Sequence, residues 1–583
     1  MRFRRSLLRW LLAILMFASA MILNRVVAQE PNSGIPSPTV RVNTRMVLVD
    51  VVVIDKQGKP VTGLKPQDFV IEENGKKQQI AAFTTPEDAS KVPAPLPLAP
   101  GIYSNKPEYR SEGGPVTVLL LDAANTPFRD QAYARWQMLK YVQEQLKPDQ
   151  RVAVFTLTNQ LRMLQDFTTD PNLLKAALQK IKPREQDMQS AVPPPLSTAI
   201  GTGADPALTT TLAMMSGEAQ AFQSIQVSYE LDRRVGVTLD AMRGLARVLG
   251  GMPGRKQVVW LTATFPFDLI PENRNVTEAE LAEALPDIHQ TGLNTHAAGA
   301  LAETQRHAHT EEIREASAQL SAAQVAIYPV DVRGLMSGME MEREDSANRQ
   351  LMDLSQRAGT RMSDVASSQE TMREIAAETG GKVYVNQNEI NAGVDLVMAD
   401  NNASYTLGYY PENKKWDGKF RTIKVKLNKD GTQLRARRGY YAIDPATIKD
   451  RDSDQQIAEA WQTGVPATLV TFSARVKPTD KGKVGVDFLV DAHSLTVKDS
   501  GGKKKFDVDL YSAMFSAEGK MLSNHSQKIA QEFPDNVYQQ IMQQGMLVHM
   551  DLDPPQGKNN QVRLAVRDNA TGHIGTLNAA WEP

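Results

Sequence analysis

The sequence predicts a multidomain α/β plus β protein: a central doubly wound sheet flanked by a small N-terminal β-module and a C-terminal β-sandwich. Three observations carry this. From Val116 to about residue 400, short apolar runs alternate with helical stretches, the order of a parallel sheet with crossover helices. The runs "VTVLLL", "QVVWL" and "VAIYPV" are continuously apolar, as strands buried on both faces are. Before and after this region, apolar residues alternate at period two between polar turns, as in antiparallel sheets.

The first 28 residues stand apart. "MRFRRSLLRW" carries Arg2, Arg4, Arg5 and Arg9 without an acid; "WLLAILMFASAMIL" is apolar and "NRVVAQ" follows it. This is the order of a secretory signal. Val26 and Ala28 suit a cut before Gln29, and Ala18 and Ala20 offer an earlier one. The apolar run falls short of the roughly 20 residues a membrane span needs. Cleavage is therefore preferred over an uncleaved anchor, with no membrane insertion afterwards and a periplasmic or extracellular location. It removes five arginines and no acid, taking the formal net charge from −1 to −6.

At about 150 residues per domain, 583 residues make three or four domains. A net charge of −1 supplies no basic field for nucleic acid. The chain has no cysteine, which excludes disulfides, thiol catalysis and zinc–thiolate sites. No nucleophile elbow, P-loop or HExxH occurs. The adjacent glycines of "ETGGKVY" fall between a helix and a strand, where they cap a helix rather than cradle a phosphate.

Residues 38–84 read as the β-module, with strands broken by the turns "DKQGKP" and "EENGKK". A Pro-rich linker spans 85–114. The α/β domain spans 115–403. Its expected strands are Val116–Leu121, Arg151–Thr156, Leu161–Phe167, Gln257–Thr262, Val325–Val330 and Lys382–Val385, the third forming an antiparallel hairpin with the second. Insertions at 182–229, 266–310 and 335–368 interrupt it; loops this long are functional or disordered. Three strands in 404–443 extend or abut the sheet, 444–464 is a charged linker, and 465–583 reads as a sandwich able to fold alone from about Asp454.

Six separated motifs then agree in order: "VLLLDAANTPFRDQ", "VAVFTLTNQLRMLQDFTTD", "GRKQVVWLTATFP", "VAIYPVDVRGL", "EIAAETGGKVYV" and "YTLGYYPENKKWDGKFRTIKVKL…RRGYYA". Together they resemble the von Willebrand factor A (VWA)-related domain of secreted acidobacterial proteins, a Rossmann-like fold. "VDVVVIDKQGKPVTGLKPQDFVIEENGKKQ" resembles the β-module that often precedes it. The resemblance covers roughly Val40 to Ala442. It implies a protein or cell-surface ligand bound at the carboxyl edge of the sheet, often through a metal ion held by Asp-x-Ser-x-Ser, a Thr and a second Asp.

On that motif Asp122 matches the first Asp, Thr126 stands for the second Ser and Thr168 for the loop Thr. Ala124 replaces the first Ser, and Ala263 stands where the second carboxylate belongs. Such a degenerate site would hold Mg²⁺ or another divalent cation weakly, with a dissociation constant on the order of millimolar. Three readings of Asp122 stay open. It is a structural carboxylate capping the following helix or its loop, the one the two departures favour; a weak metal ligand; or a catalytic acid.

Other features have bland readings. His289, His296, His307 and His309 match no helical ligand pair and read as solvated loop residues. The Met-rich Leu335–Asp345 is a flexible loop or an adaptable binding surface. Arg435 and Arg437 read as an exposed, charged edge strand rather than a nucleic-acid stripe. The chain is expected to be an adhesion or scaffold-type binding protein. The alternatives are a hydrolase whose site lies in the insertions, using Asp122 or Asp331, and a purely structural envelope component.

Overall fold

The computed structural model describes most of residues 46–89, 97–106, 116–146, 150–183, 230–266, 309–334, 365–386, 397–444 and 453–581. All of these belong to one unit, 45–583. The expected signal segment, the Met-rich stretch, His289, His296 and His307 lie outside the described residues. Among those described, no helix is long and apolar enough to cross a membrane.

The protein is mixed α/β with several sheets. The five-stranded one runs, edge to edge, Val325–Asp331, Lys256–Thr262, Val116–Asp122, Arg151–Leu157 and Leu161–Thr168. The first four strands are parallel and the last is antiparallel. Every residue of those four parallel strands is buried, because helices cover both faces. Side chains alternate across the sheet. Val118 and Leu120 pack with helices 232–249, Thr310–Ala322 and 368–379. Leu119 and Leu121 pack with Phe128–Glu144 and Pro171–Lys180 on the other face.

A sixth strand over Lys382–Val385 does not form. It shrinks to one parallel bridge, Val330 to Tyr384. Tyr384 N donates to Pro329 O and Asp331 N to Tyr384 O. The next rung toward the amino end needs an N–H from residue 329, and proline has none. Ile327 N turns to Thr379 Oγ1 instead.

Strands in 404–443 do not extend this sheet. They interleave with those of 47–84. One sheet runs Thr432–Ala436, Val47–Asp55, Ser404–Tyr409, Ile80–Thr84; the other runs Gly439–Tyr441, Phe420–Leu427, Phe69–Glu73, Lys76–Gln78. Between them Arg421 and Glu73 meet, both nearly fully buried, and Tyr409 and Tyr440 donate to Glu73 Oε2 at 2.7 and 3.0 Å. The exposed edge strand read for Arg435 and Arg437 is corrected accordingly. Thr432–Ala436 pairs with Val47–Asp55, and Arg435 meets the carboxylate of Asp400. Arg437 is 9% exposed and donates to Ser321 O (2.9 Å) and Leu48 O (2.8 Å).

Arg437 belongs to a wider polar seam at the amino edge of the five-stranded sheet. Lys256 Nζ donates to Ala323 O at 2.9 Å, and Gln324 Nε2 to Asp50 Oδ1 at 3.0 Å. Arg255 Nη2 donates to Gly380 O, and Tyr328 OH to Asp400 Oδ2 at 3.0 Å. Burial drives the Lys256 ammonium down to about 8, against the pull of Asp50, and pushes the Glu378 carboxyl up to about 7. Gly381 admits close approach here: a Cβ would stand 1.9 Å from Ile327 O.

The C-terminal region has two packed sheets with alternating burial, as in Met546–Leu552. Ile102–Ser104, inside the expected 85–114 linker, is a strand paired with Phe472–Pro478. Ser453–Gln462, inside the expected 444–464 linker, is a helix.

Candidate functional site

Asp122 ends the central strand of the five-stranded sheet. Chain order reverses between the Val116 and Lys256 strands: the connection after Asp122 crosses one face, and helix 232–249, which leads into Lys256, crosses the other. Crevices of α/β sheets open at such a point, beyond the carboxyl ends of the strands. Here the loops after Asp122, Thr262 and Asp331 come together.

Asp122 is fully buried. Its Oδ1 accepts from Asn125 N at 3.0 Å; its Oδ2 accepts from Asn125 Nδ2 at 2.9 Å and Trp260 Nε1 at 3.0 Å. Burial pushes its carboxyl above the ordinary range, while the bonds from Asn125, Trp260 and Thr262 pull the other way. Asn125 is equally buried and passes the contact on. Its Nδ2 donates to Thr238 Oγ1 (2.9 Å), and its Oδ1 accepts from Arg234 Nε (3.0 Å). Burial lowers the Arg234 pKa, and the negative charge of Asp122 opposes that shift. Asp122, Asn125 and Arg234 therefore form one connected chain of groups.

Thr126 lies beside Asp122, also buried, with Oγ1 accepting from Ala263 N at 3.2 Å. This bond ties the first loop to the loop after the Lys256 strand. Thr168 is not part of the group. The strand Leu161–Thr168 runs antiparallel, so Thr168 faces Val152 at the amino end of its neighbour, while Asp122 faces Leu157 at the carboxyl end. Five residues at about 3.3 Å each separate those positions, roughly 17 Å. A hairpin reverses direction, and the motif match did not allow for that. Thr168 Oγ1 accepts from Asp170 N at 3.1 Å, in the turn that starts helix Pro171–Lys180.

Asp122 also does not cap the following helix. That helix begins at Phe128 after Pro127, without a side-chain cap. Gln131 Nε2 instead reaches back to Thr126 O (2.8 Å) and Ala123 O (3.3 Å), holding the loop. Asp122 is thus a loop-organising acceptor.

A divalent cation needs oxygen lone pairs free to coordinate. Both oxygens of Asp122 hold N–H donors, Thr126 holds one, and positions 124 and 263 offer methyl groups. The other acid of this edge, Asp331, is held by Arg333 through Nε (2.8 Å) and Nη2 (2.9 Å) and by Gln369 Nε2 (3.1 Å). Among the described residues no group of three or more His, Cys, Asp or Glu is placed to hold a metal ion. These residues do not fit Mg²⁺.

His309 is a correction to the reading of solvated loop histidines. Its ring meets Asp232 (2.5 Å) and Glu312 (2.9 Å). Burial works against its charged form, but these two bonds outweigh it and hold the pKa above the usual histidine value. Thr264 Oγ1 donates to Ser368 Oγ at 3.1 Å. These contacts show where the long insertions are anchored. Segment 184–229 returns at Asp232–Arg234. Segment 267–308 leaves after Phe265 and returns at His309. Segment 335–364 leaves after Arg333 and returns at Ser368–Gln369. All of those flanks sit at the carboxyl edge.

The sequence reading missed Arg234, Thr238 and Trp260, and gave Asn125 no role. Trp260 carried a signal: an indole in a doubly buried strand needs a partner for its N–H, and a strand-end carboxylate is the nearest candidate type. Arg234 carried none, since it lies more than 100 residues from Asn125.

No family model and no curated protein matches the chain. Among solved structures it is similar to an aerotolerance-related membrane protein from Bacteroides fragilis: 12% identity, TM-score 0.22, covering 50% of this chain and 99% of that one. It is similar to the conserved hypothetical protein BatB from Bacteroides thetaiotaomicron, at 13% identity and TM-score 0.21, covering 49% and 97%. A third similar structure is a von Willebrand factor type A protein from Catenulispora acidiphila, at 8% identity and TM-score 0.21, covering 93% of this chain and 74% of that one. Scores of this size carry no argument about fold or function, which rest on the strand order and the side chains above.

Proposed function

We propose that this chain is an exported binding protein of adhesion or scaffold type, with a doubly wound VWA-like domain between two β regions, that takes a protein or surface ligand at the carboxyl edge of its α/β sheet. One observation carries the reading: at least one flank of each of the three long insertions lies at that edge. Loops positioned by a rigid scaffold are where binding residues concentrate. The amino edge, by contrast, is closed by the β strands of 47–55 and 404–441.

Phe128, the first residue of the helix after Asp122, is 48% exposed and gives the test. A photo-cross-linking amino acid at position 128 is expected to capture an envelope partner when the mature protein is incubated with the native envelope. The same group at Leu547, 73% exposed on the C-terminal sandwich, is the control. Capture from position 547 alone would sink the proposal. N-terminal sequencing of the exported form is expected to begin near Gln29; an intact Met1 in the membrane pellet would replace export by anchoring.

A further inference from the structure

We propose that the guanidinium of Arg234 stands at the carboxyl edge as a built-in cation and receives a carboxylate of the ligand directly. The inference rests on the edge-binding reading and deepens it by naming the recognising group and the chemistry it takes.

Three observations converge on Arg234. First, it is fixed in place: its Nε donates to Asn125 Oδ1 at 3.0 Å, and Asn125 is held on Asp122 by two bonds. Second, only Nε is used. Among the described residues neither terminal nitrogen has a hydrogen-bond partner, and neither is a fully buried atom. Third, the nearby charged groups take their hydrogen bonds from other partners, although Asp122 and Glu230 still act on Arg234 through their charge. Arg233 is engaged by Glu230 through Nε (2.9 Å) and Nη2 (2.6 Å), His309 by Asp232 and Glu312, and Asp331 by Arg333. Arg234 is thus a cation anchored at the carboxyl edge through one nitrogen, with its terminal nitrogens unused among the described residues.

The chemistry follows from the fork. A guanidinium anchored by Nε presents its two terminal N–H₂ groups in one plane, the geometry that takes two carboxylate oxygens side by side. Anchoring also removes rotamer freedom before the ligand arrives, which strengthens binding. Asp122 is a positioning residue: it orients Asn125, which orients Arg234. The ligand group expected is an Asp or Glu side chain, or a chain-terminal carboxylate, of a partner protein.

The probe is 4-azidobenzoate, a carboxylate that cross-links on illumination, applied to the full mature chain. Peptide mapping is expected to place label on the peptides holding Asn125 and Arg234, with acetate competing and EDTA without effect. Arg234→Gln is expected to lower that labelling about tenfold, the scale of one charge-assisted fork. Arg234→Lys keeps the charge without the anchored fork and is expected to fall between; it decides the matter should Arg234→Gln not fold, which a thermal melt would show. Absence of labelling, equal labelling of the wild type and both variants, or labelling that demands added Mg²⁺ would overturn the inference. Its failure is distinguishable from that of the edge-binding reading. Partner capture from position 128 that persists in Arg234→Gln retains the edge and discards the arginine. Arg234-dependent labelling without capture from position 128 retains the arginine and discards the partner.

Discussion

The two edges of the five-stranded sheet handle buried charge in opposite ways. At the carboxyl edge each acid is matched mainly by neighbours close in the chain: Asn125 serves Asp122 three residues on, and Arg333 serves Asp331 two residues on. At the amino edge the partners come from far away: Gln324 and Asp50 are 274 residues apart, and Arg437 and Leu48 are 389 apart. Local matching leaves an edge self-sufficient, free to carry insertions. Distant matching joins the sheet to the β layers, so that neither is complete alone. Function is expected where the edge is self-sufficient and stability where it is shared.

The largest expected effect lies in the seam. Arg437→Met removes two charge-assisted bonds, to Ser321 O and to Leu48 O; Ser321 O keeps the N–H of Gln324. The cost is about 3 kcal/mol. Scanning calorimetry is expected to show a lower melt, with the transition of the β layers separating from that of the α/β sheet. A single unshifted transition would mean that the seam is decorative.

Asp122→Asn tests the other edge. The new amide sets an NH₂ against the N–H donors of Asn125 and Trp260, at a cost of about 2 kcal/mol. Melts of wild type and variant are expected to be unmoved by EDTA or Mg²⁺. A wild-type melt raised by Mg²⁺ would restore a metal site.

A pH-dependent effect attaches to Glu378, which is 7% exposed with Oε1 unmatched. Its folded pKa of about 7 exceeds the ordinary 4.5. The folded state therefore holds a proton that the unfolded state releases between those values, and stability falls as pH rises through that window. Glu378→Gln is expected to flatten this slope and raise the melt at pH 8. The smallest effect on stability is Phe128→Ser, expected within roughly 0.5 kcal/mol of wild type as an exposed substitution; partner capture, not the melt, is what it should change.

Much of the fold was legible because the parallel strands are apolar throughout and the antiparallel ones alternate. Val116–Asp122 and Met546–Leu552 announce their burial in one dimension. What was not legible depended on pairing. Nothing in "LRARRGYYA" says that it closes on Val47–Asp55, and a three-residue strand at Ile102–Ser104 has no period to read. At the site, Asp122 could be placed at the end of a buried strand from the apolar run before it, and Ala124 and Ala263 put methyl groups where the motif has oxygens. Thr168 misled because direction along a strand is invisible to a motif. Arg234 was hidden because charge matching across a fold is a property of distance in space.

The interleaving of 47–84 with 404–441 also orders events in time. A chain synthesised from its amino end delivers Val47–Asp55 first, and both of that strand's neighbours, Ser404–Tyr409 and Thr432–Ala436, some 350 residues later. Ile102–Ser104 waits as long for Phe472–Pro478. Between those arrivals the α/β sheet, whose strands pair only with one another, has everything its hydrogen-bond ladders require. The early strands meanwhile present open edges, the kind that aggregate or recruit chaperones. Synthesis is thus a race in which the middle of the protein folds first and the beginning is finished by the end, and a chain cut short before residue 404 would carry a complete carboxyl edge on a body that cannot close.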